Sequence, residues 1–334
     1  MSKSVKILLT ILCAAMILAL PLLIPSGAML GDVKWTLMDE MDAEDDGWET
    51  SLLNLFFPSA NAEEAEVSYE LPVDFSAGMT PNPACYTEDG YQDDSITVKM
   101  ETRVEGDVTY CLAFVEIKSP TQLRTAVAGS IKSTKTAKIS AMAEKNNAII
   151  AINADYFSNN PTKTSFEYRM GQKVRSKANK TKDILIIDEN GDFHLFVKSD
   201  SKKMEEFNAS GHQIINAFTF GPALVIDGET QTIDTKYGYN PNGREPRMAI
   251  GQIDTLSYVL VMAEGRSKDS EGVTQQELAD YMGTLGCKQA FNLDGGNSAT
   301  MIFNGEYYGS RTGNERPQSD MIYFATAVDP TTWQ

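Results

Sequence analysis

Asp294 closes a short apolar run, Ala290-Phe291-Asn292-Leu293, and Gly295, Gly296, Asn297 and Ser298 follow it directly. A carboxylate in such a position can activate water or stabilise positive charge developing on a substrate carbon. Paired glycines let the backbone turn sharply and bring amide N–H groups close to a ligand. Two other acids stand in similar places: Asp155 in Ala151-Ile152-Asn153-Ala154-Asp155-Tyr156-Phe157, and Glu264 in Ala263-Glu264-Gly265-Arg266. Arg247 opens the run Arg247-Met248-Ala249-Ile250-Gly251, Arg266 follows Gly265, and Gly221-Pro222 turns into Ala223-Leu224-Val225. Taken singly these are ordinary features. Surface arginines are usually ion-pair partners, and an Asp before glycines often bonds only its own backbone. Their joint placement at strand ends, where α/β sheets carry their chemistry, gives the set a functional meaning.

Those strand ends follow from the pattern of apolar residues. Runs rich in Val, Ile, Leu and Phe predict strands at 96–100, 108–117, 148–153, 184–187, 193–197, 223–226, 248–253, 258–262, 290–293, 300–303 and 321–327. Several are apolar throughout, as in strands covered on both faces. Two helices are predicted. One spans 136–146, with Ile139, Met142 and Ala143 on one side. The other spans 274–285, opens with the capping box Thr274-Gln275-Gln276-Glu277 and stops at Gly286. Each helix leads into a strand ending in polar residues: Asn153 and Asp155 after the first, Asn292 and Asp294 after the second. Many strands and few helices predict an α+β (mixed α/β) fold with a mixed central sheet and helices packed on it.

These segments, in this order from about residue 108 to 328, resemble the phosphodiester glycosidase family. The resemblance rests on Asn153-Ala154-Asp155-Tyr156-Phe157, Gly221-Pro222, Arg247–Gly251, Glu264-Gly265-Arg266 with Ser270 and Gly272, and above all Asn292–Ser298. Two positions depart from it: Glu264 stands where Asp is usual, and Asn297 where a third glycine is common. The resemblance implies a hydrolase that removes a sugar from a sugar-1-phosphate diester by cutting the glycosidic bond. A phosphate leaving group needs little help from a strong general acid. The site needs cations for the phosphate and a carboxylate facing the anomeric carbon. On that footing Asp294 is the main catalytic carboxylate, with Glu264 or Asp155 as the second acid. Arg247 and Arg266 form the phosphate clamp, and Asn153, Asn292, Asn297, Ser298, Gly295, Gly296 and Gly221 surround the substrate. The rival reading keeps the scaffold and the arginines but no turnover, as a glycan-binding module of the cell envelope.

Composition narrows the choices further. There are only two histidines, His194 in a strand-like run and His212 in a loop, both outside the motifs. They read as ordinary polar residues, which disfavours a Ser-His-Asp hydrolase. A phosphodiesterase cutting the P–O bond wants two metals and a His/Asp cluster, which no motif supplies. Among Cys85, Cys111 and Cys287 no two have metal-ligand spacing, so zinc is not expected and no cofactor is called for. A single cation such as calcium on Asp and Asn oxygens stays open. In an oxidising compartment Cys85 and Cys111 could pair, which the sequence leaves open, and Cys287 reads as a small core residue.

Lys3 and Lys6 precede an uncharged apolar run from Ile7 to Ile24, which predicts a signal peptide or membrane anchor over 1–30 and an extracytoplasmic location. Small residues near Ala28 and Ala62 mark two possible processing sites. Residues 31–66, dense in Asp and Glu, read as a solvated acidic tether that carries much of the net charge of −17. Residues 67–334 form the expected catalytic domain. Nothing basic is clustered enough for nucleic acid; the expected partners are a phosphate-linked glycan and, through the N-terminus, a membrane.

Overall fold

The computed structural model describes residues 73–156, 165–311 and 313–333; the expected anchor, the tether and Phe157 lie outside the described residues. In chain order the strands are β1 (Tyr86–Thr87), β2 (Gly90–Gln92), β3 (Ile96–Glu105), β4 (Val108–Ile117), β5 (Leu123–Val127), β6 (Ile150–Asn153), β7 (Phe166–Arg169), β8 (Gln172–Ser176), β9 (Asp183–Asp188), β10 (Phe193–Phe196), β11 (Ile214–Phe220), β12 (Ala223–Ile226), β13 (Glu229–Thr230), β14 (Arg247–Asp254), β15 (Ser257–Ala263), β16 (Gln289–Leu293), β17 (Met301–Phe303), β18 (Glu306–Tyr307) and β19 (Asp320–Phe324). The helices are α1 (Ile139–Lys145), α2 (Ser201–Ser210) and α3 (Gln275–Thr284). Among the described residues no helix is long and apolar enough to cross a membrane.

The strands form a nine-stranded sheet, β1-β2-β3-β4-β15-β14-β16-β12-β13, and two five-stranded sheets, β10-β9-β11-β7-β8 and β18-β17-β6-β19-β5. The class is α+β, as the sequence predicts. The expected mixed pairing gives way to antiparallel neighbours in every described pair of strands, for instance β14 with β15 and with β16. The apolar runs explain how this arises. On one face of the nine-stranded sheet, Leu112, Ala249, Val261 and Ala290 pack with Leu278 and Met282 of α3. On the other, Met248, Ile250, Leu260 and Phe291 share a core with Ile152, Leu185, Phe218 and Ile322 of the two smaller sheets. Strands covered on both faces thus come from stacking a sheet between a helix and other sheets, without parallel crossovers. Each side chain fully buried in this way contributes about 1.5–3 kcal/mol.

The two helices that feed the site are held differently. Thr274 closes the expected capping box: its hydroxyl accepts from the Glu277 amide at 3.1 Å, and its own amide donates to the Glu277 carboxylate at 2.8 Å. α1 has no side-chain cap of its own. Instead the distant, buried Glu315 accepts from the Ser140 amide at 2.9 Å and the Ser140 hydroxyl at 2.7 Å. A carboxylate there also complements the helix dipole.

Candidate active site

β6 and β16 belong to different sheets, yet their C-terminal ends meet. The Asp294 amide donates to the Ala154 carbonyl at 3.2 Å, and Asn153 Nδ2 donates to the Asp294 carbonyl at 2.7 Å. Asn153 Oδ1 accepts from the Thr300 amide at 3.0 Å. Asn153 is fully buried with both ends of its amide engaged, so it braces the junction and does not face the groove. Asn292 is a second brace: its Nδ2 donates to the Gly221 carbonyl at 2.7 Å, while its buried Oδ1 has no protein partner. Gly221 and Pro222 exchange backbone hydrogen bonds with Asn292 and so anchor β16 beside the entry to β12.

The loop after Asp294 leans on Pro246, whose carbonyl accepts from the Gly296 amide at 2.7 Å. A Cβ on Gly295 would stand 2.6 Å from that same carbonyl oxygen, so only glycine allows the approach. Asp294 itself is half-buried. Burial pushes its carboxyl above the ordinary range. The Ser298 hydroxyl and the charge of Arg316 pull it back, and the nearby Asp155 raises it. Arg316 Nη1 donates to Ser298 Oγ at 3.0 Å, and the guanidinium carbon lies 4.9 Å from the centre of the Tyr156 ring. A carboxylate, a hydroxyl and a guanidinium are thereby aligned. Tyr239 completes this side: stacked on Phe220 at 3.9 Å, its phenol is pushed up to about 12 by desolvation and by the charges of Asp155, Asp294 and Glu167.

Asp155 sits behind this constellation, fully enclosed. Its Oδ1 accepts from Arg169 Nη2 at 2.6 Å and its Oδ2 from the Thr219 amide at 2.9 Å. Arg169 also donates to Asp320 at 2.7 Å, meets Glu167 at 3.4 Å and stacks over the Phe218 ring at 4.2 Å. Burial drives Glu167 well above the normal carboxylate range and Asp320 up to about 7, against the pull of Arg169. Asp155 is therefore held by Arg169 and the Thr219 amide and acts on Asp294 through its charge.

Glu264 lies on the other flank of the glycine loop. It lines a groove with Gly296, Asn297, Tyr307 and Arg311, and its Oε1 accepts from the Ser310 amide and, at 3.5 Å, from the Cys111 thiol. Arg266 forms the rim there, donating to Glu245 and, at 2.7 Å, to Asn297 Oδ1. Arg247 does not line this groove. It is 3% exposed and donates to the carbonyls of Val273, Tyr239, Asn240 and Gly243, as a buried guanidinium must if it is to stay charged. Its work is to shape the loop that carries Tyr239. Cys85 and Cys111, whose pairing the sequence leaves open, are separate free thiols, and Cys111 is turned to Glu264.

Arg316, Tyr239, Arg169, Glu167 and Asp320 escaped the sequence reading. Arg316 and Tyr239 stand in irregular loops, the second in the Gly/Asn/Pro-rich stretch 237–246 just before Arg247, a composition that marks a shaped loop. The other three alternate with apolar neighbours on strands and carried no signal of their own.

Comparison with known proteins adds a family and a fold. A family model described as phosphodiester glycosidase matches residues 146–325, which hold Asn153, Asp155, Arg247, Glu264 and Asp294. The chain is 33% identical over 117 residues to the SPbeta prophage-derived uncharacterized protein YomE of Bacillus subtilis (strain 168), a match spanning 35% of this chain and 18% of that protein. Among solved structures it is similar to the catalytic domain of zebrafish N-acetylglucosamine-1-phosphodiester alpha-N-acetylglucosaminidase auto-inhibited by its pro-peptide. That likeness has a TM-score of 0.53 at 16% identity and covers 75% of this chain and 87% of that one, which establishes a shared fold.

Proposed function

The chain belongs to the phosphodiester glycosidase family, and from that premise we propose that it is an exported hydrolase cutting the glycosidic bond of sugar-1-phosphate diesters on envelope or extracellular glycans. The observation that carries this reading is the half-buried Asp294 at the junction of two strand ends, joined through Ser298 to Arg316. In this reading Asp294 faces the anomeric carbon and either stabilises oxocarbenium character or activates the attacking water. Arg316, and Arg266 from the rim, hold the phosphate; a guanidinium suits two phosphate oxygens at once. The leaving phosphate departs as an anion already neutralised by these cations, so a weak proton donor suffices. Tyr239, its phenol kept protonated by desolvation and by the nearby carboxylates, supplies that proton. Export and outward anchoring rest on the lysine-flanked apolar run of residues 7–24.

The test is turnover of a synthetic sugar-1-phosphate diester by the purified full-length chain and by Asp294→Asn. Free sugar and a phosphomonoester from the wild type, with a loss of at least about a thousandfold in the variant, is expected. Undiminished turnover in Asp294→Asn would remove Asp294 from its role. Binding without turnover, across a panel of sugars, would make the domain a glycan-binding module.

A further inference from the structure

The chain's only two histidines meet on the far end of the β9–β10 sheet. Asp188, the last residue of β9, is buried; its Oδ2 lies 2.9 Å from His194 Nε2 and 3.3 Å from His212 Nδ1. Glu189 Oε1 lies 3.1 Å from the same His212 nitrogen. We propose that Asp188, Glu189 and His212 form a binding site for one divalent transition-metal ion of the zinc type, separate from the constellation around Asp294.

Three observations carry this. First, the spacing fits. Zinc holds N and O ligands at about 2.0–2.2 Å in a tetrahedron, which sets its ligand atoms about 3.3–3.5 Å apart; the two carboxylate oxygens lie 3.1 and 3.3 Å from His212 Nδ1, and all three ligand atoms lie within 4.8 Å of one another. Second, each carboxylate is already oriented by backbone amides on its other oxygen. Asp188 Oδ1 accepts from the Asn190 and Asp192 amides at 2.8 and 3.0 Å, and Glu189 Oε2 accepts from the Gln213 amide at 2.7 Å. The remaining oxygens converge on one imidazole nitrogen, which is how carboxylates bind a metal through a single oxygen supported by outer partners. His194 is such a partner to Asp188 Oδ2. Third, His212 and Glu189 are about one-third exposed and border a groove with Tyr168, Asn208 and Gln213. A fourth position on the ion therefore opens to water. The donors, one imidazole and two carboxylates, suit zinc better than calcium or magnesium, which take oxygen ligands.

The expectation from cysteine spacing concerns cysteine ligands and does not bear on this cluster. Its ligands are not cysteines, and Asp188 and His212 are brought together because β11 pairs with β9, Ile214 opposite Asp188, after α2 ends at Gly211 in the left-handed conformation. A bound ion would tie that turn to the start of β11, the strand whose far end supplies the Thr219 amide to Asp155.

The experiment uses the full-length chain, stripped with chelator and titrated with zinc chloride by calorimetry, with metal content measured after gel filtration. One zinc per chain is expected. His212→Ala and Glu189→Gln, both changes of partly exposed side chains, should each weaken binding by more than tenfold, with circular dichroism and unfolding midpoint of the metal-free protein unchanged. Cobalt(II) in place of zinc should give the visible absorption of a four-coordinate centre in the wild type and lose it in His212→Ala. No binding, or zinc bound equally well by the wild type and both variants, would overturn the proposal. The second outcome would place the ion elsewhere, on the acidic N-terminal stretch or on cysteine.

Discussion

Arg169→Met removes the guanidinium that lies among Asp155, Glu167 and Asp320 at 2.6, 3.4 and 2.7 Å, where none of the four side chains is more than 2% exposed. Such a cluster cannot keep its charges without the cation, so at least one more carboxyl must take up a proton in the folded variant. Holding a carboxyl neutral costs about 1.4 kcal/mol for each pH unit above its unfolded pKa of about 4. The penalty for that proton is then about 4 kcal/mol at pH 7 and about 1.4 kcal/mol at pH 5. The first figure agrees with the roughly 3–5 kcal/mol found when one partner of a buried ion pair is removed. The sign is fixed by linkage: the folded variant binds more protons than the unfolded chain, so its stability falls as pH rises between the two pKa values. The wild type leans the same way through Glu167 and through Asp320, raised from 3.8 to about 7; their contribution is complete below about pH 4 and is lost as pH climbs toward 7. Denaturant titrations of the wild type and Arg169→Met at both pH values, compared at equal slope, measure the difference. A penalty under about 1 kcal/mol at neutral pH, or one unchanged at about pH 5, would refute the charge assignment of this cluster.

Three other outcomes follow from the same geometry. Arg316→Met should lower kcat/KM by about 100- to 1000-fold, as loss of one donor to a developing charge does elsewhere, and Arg316→Lys should recover only part of it; steady-state kinetics on a sugar-1-phosphate diester checks both. Gly295→Ala places a Cβ 2.6 Å from the Pro246 carbonyl and must displace the Asp294 loop, so activity should fall by about 100-fold while the unfolding midpoint moves little. The kcat/KM profile should rise with pH through a limb above the ordinary carboxylate range, because burial raises Asp294 and the ionised form is the working one. In Arg316→Met that limb should move further up, since a charge that lowers the pKa is gone.

What the sequence made legible was the part written in apolar periodicity. β4 and β12 fall where their Val, Leu and Ile runs predict them, and the Thr274 capping box forms as its spacing requires. The elements that went unread are those whose inward side is polar. β7 turns Glu167 and Arg169 inward, β5 buries Arg124, and β11 buries Asn216 and Thr219, so their hydropathy hides the strand. α2, Ser-Lys-Lys-Met-Glu-Glu-Phe-Asn-Ala-Ser, buries only Phe207 and shows no apolar stripe. At the site, the glycine loop was readable because close backbone approach demands glycine. The split between Arg247, consumed by carbonyls, and Arg316, aligned with Asp294, was not readable, since both are arginines beside loops until the chain folds. The histidines illustrate the same limit: 24 positions separate Asp188 from His212, and the pairing of β11 with β9 after the end of α2 makes them neighbours.

The central claim is that the bond cut is the one between sugar carbon and oxygen, not between phosphorus and oxygen. It is tested most directly by running the reaction of the full-length chain in water enriched in heavy oxygen and weighing both products. The account predicts the label on the released sugar and none on the phosphomonoester. Label on a phosphate oxygen would mean attack at phosphorus, and would contradict Asp294 as the carboxylate facing the anomeric carbon and Arg316 as the holder of a leaving phosphate.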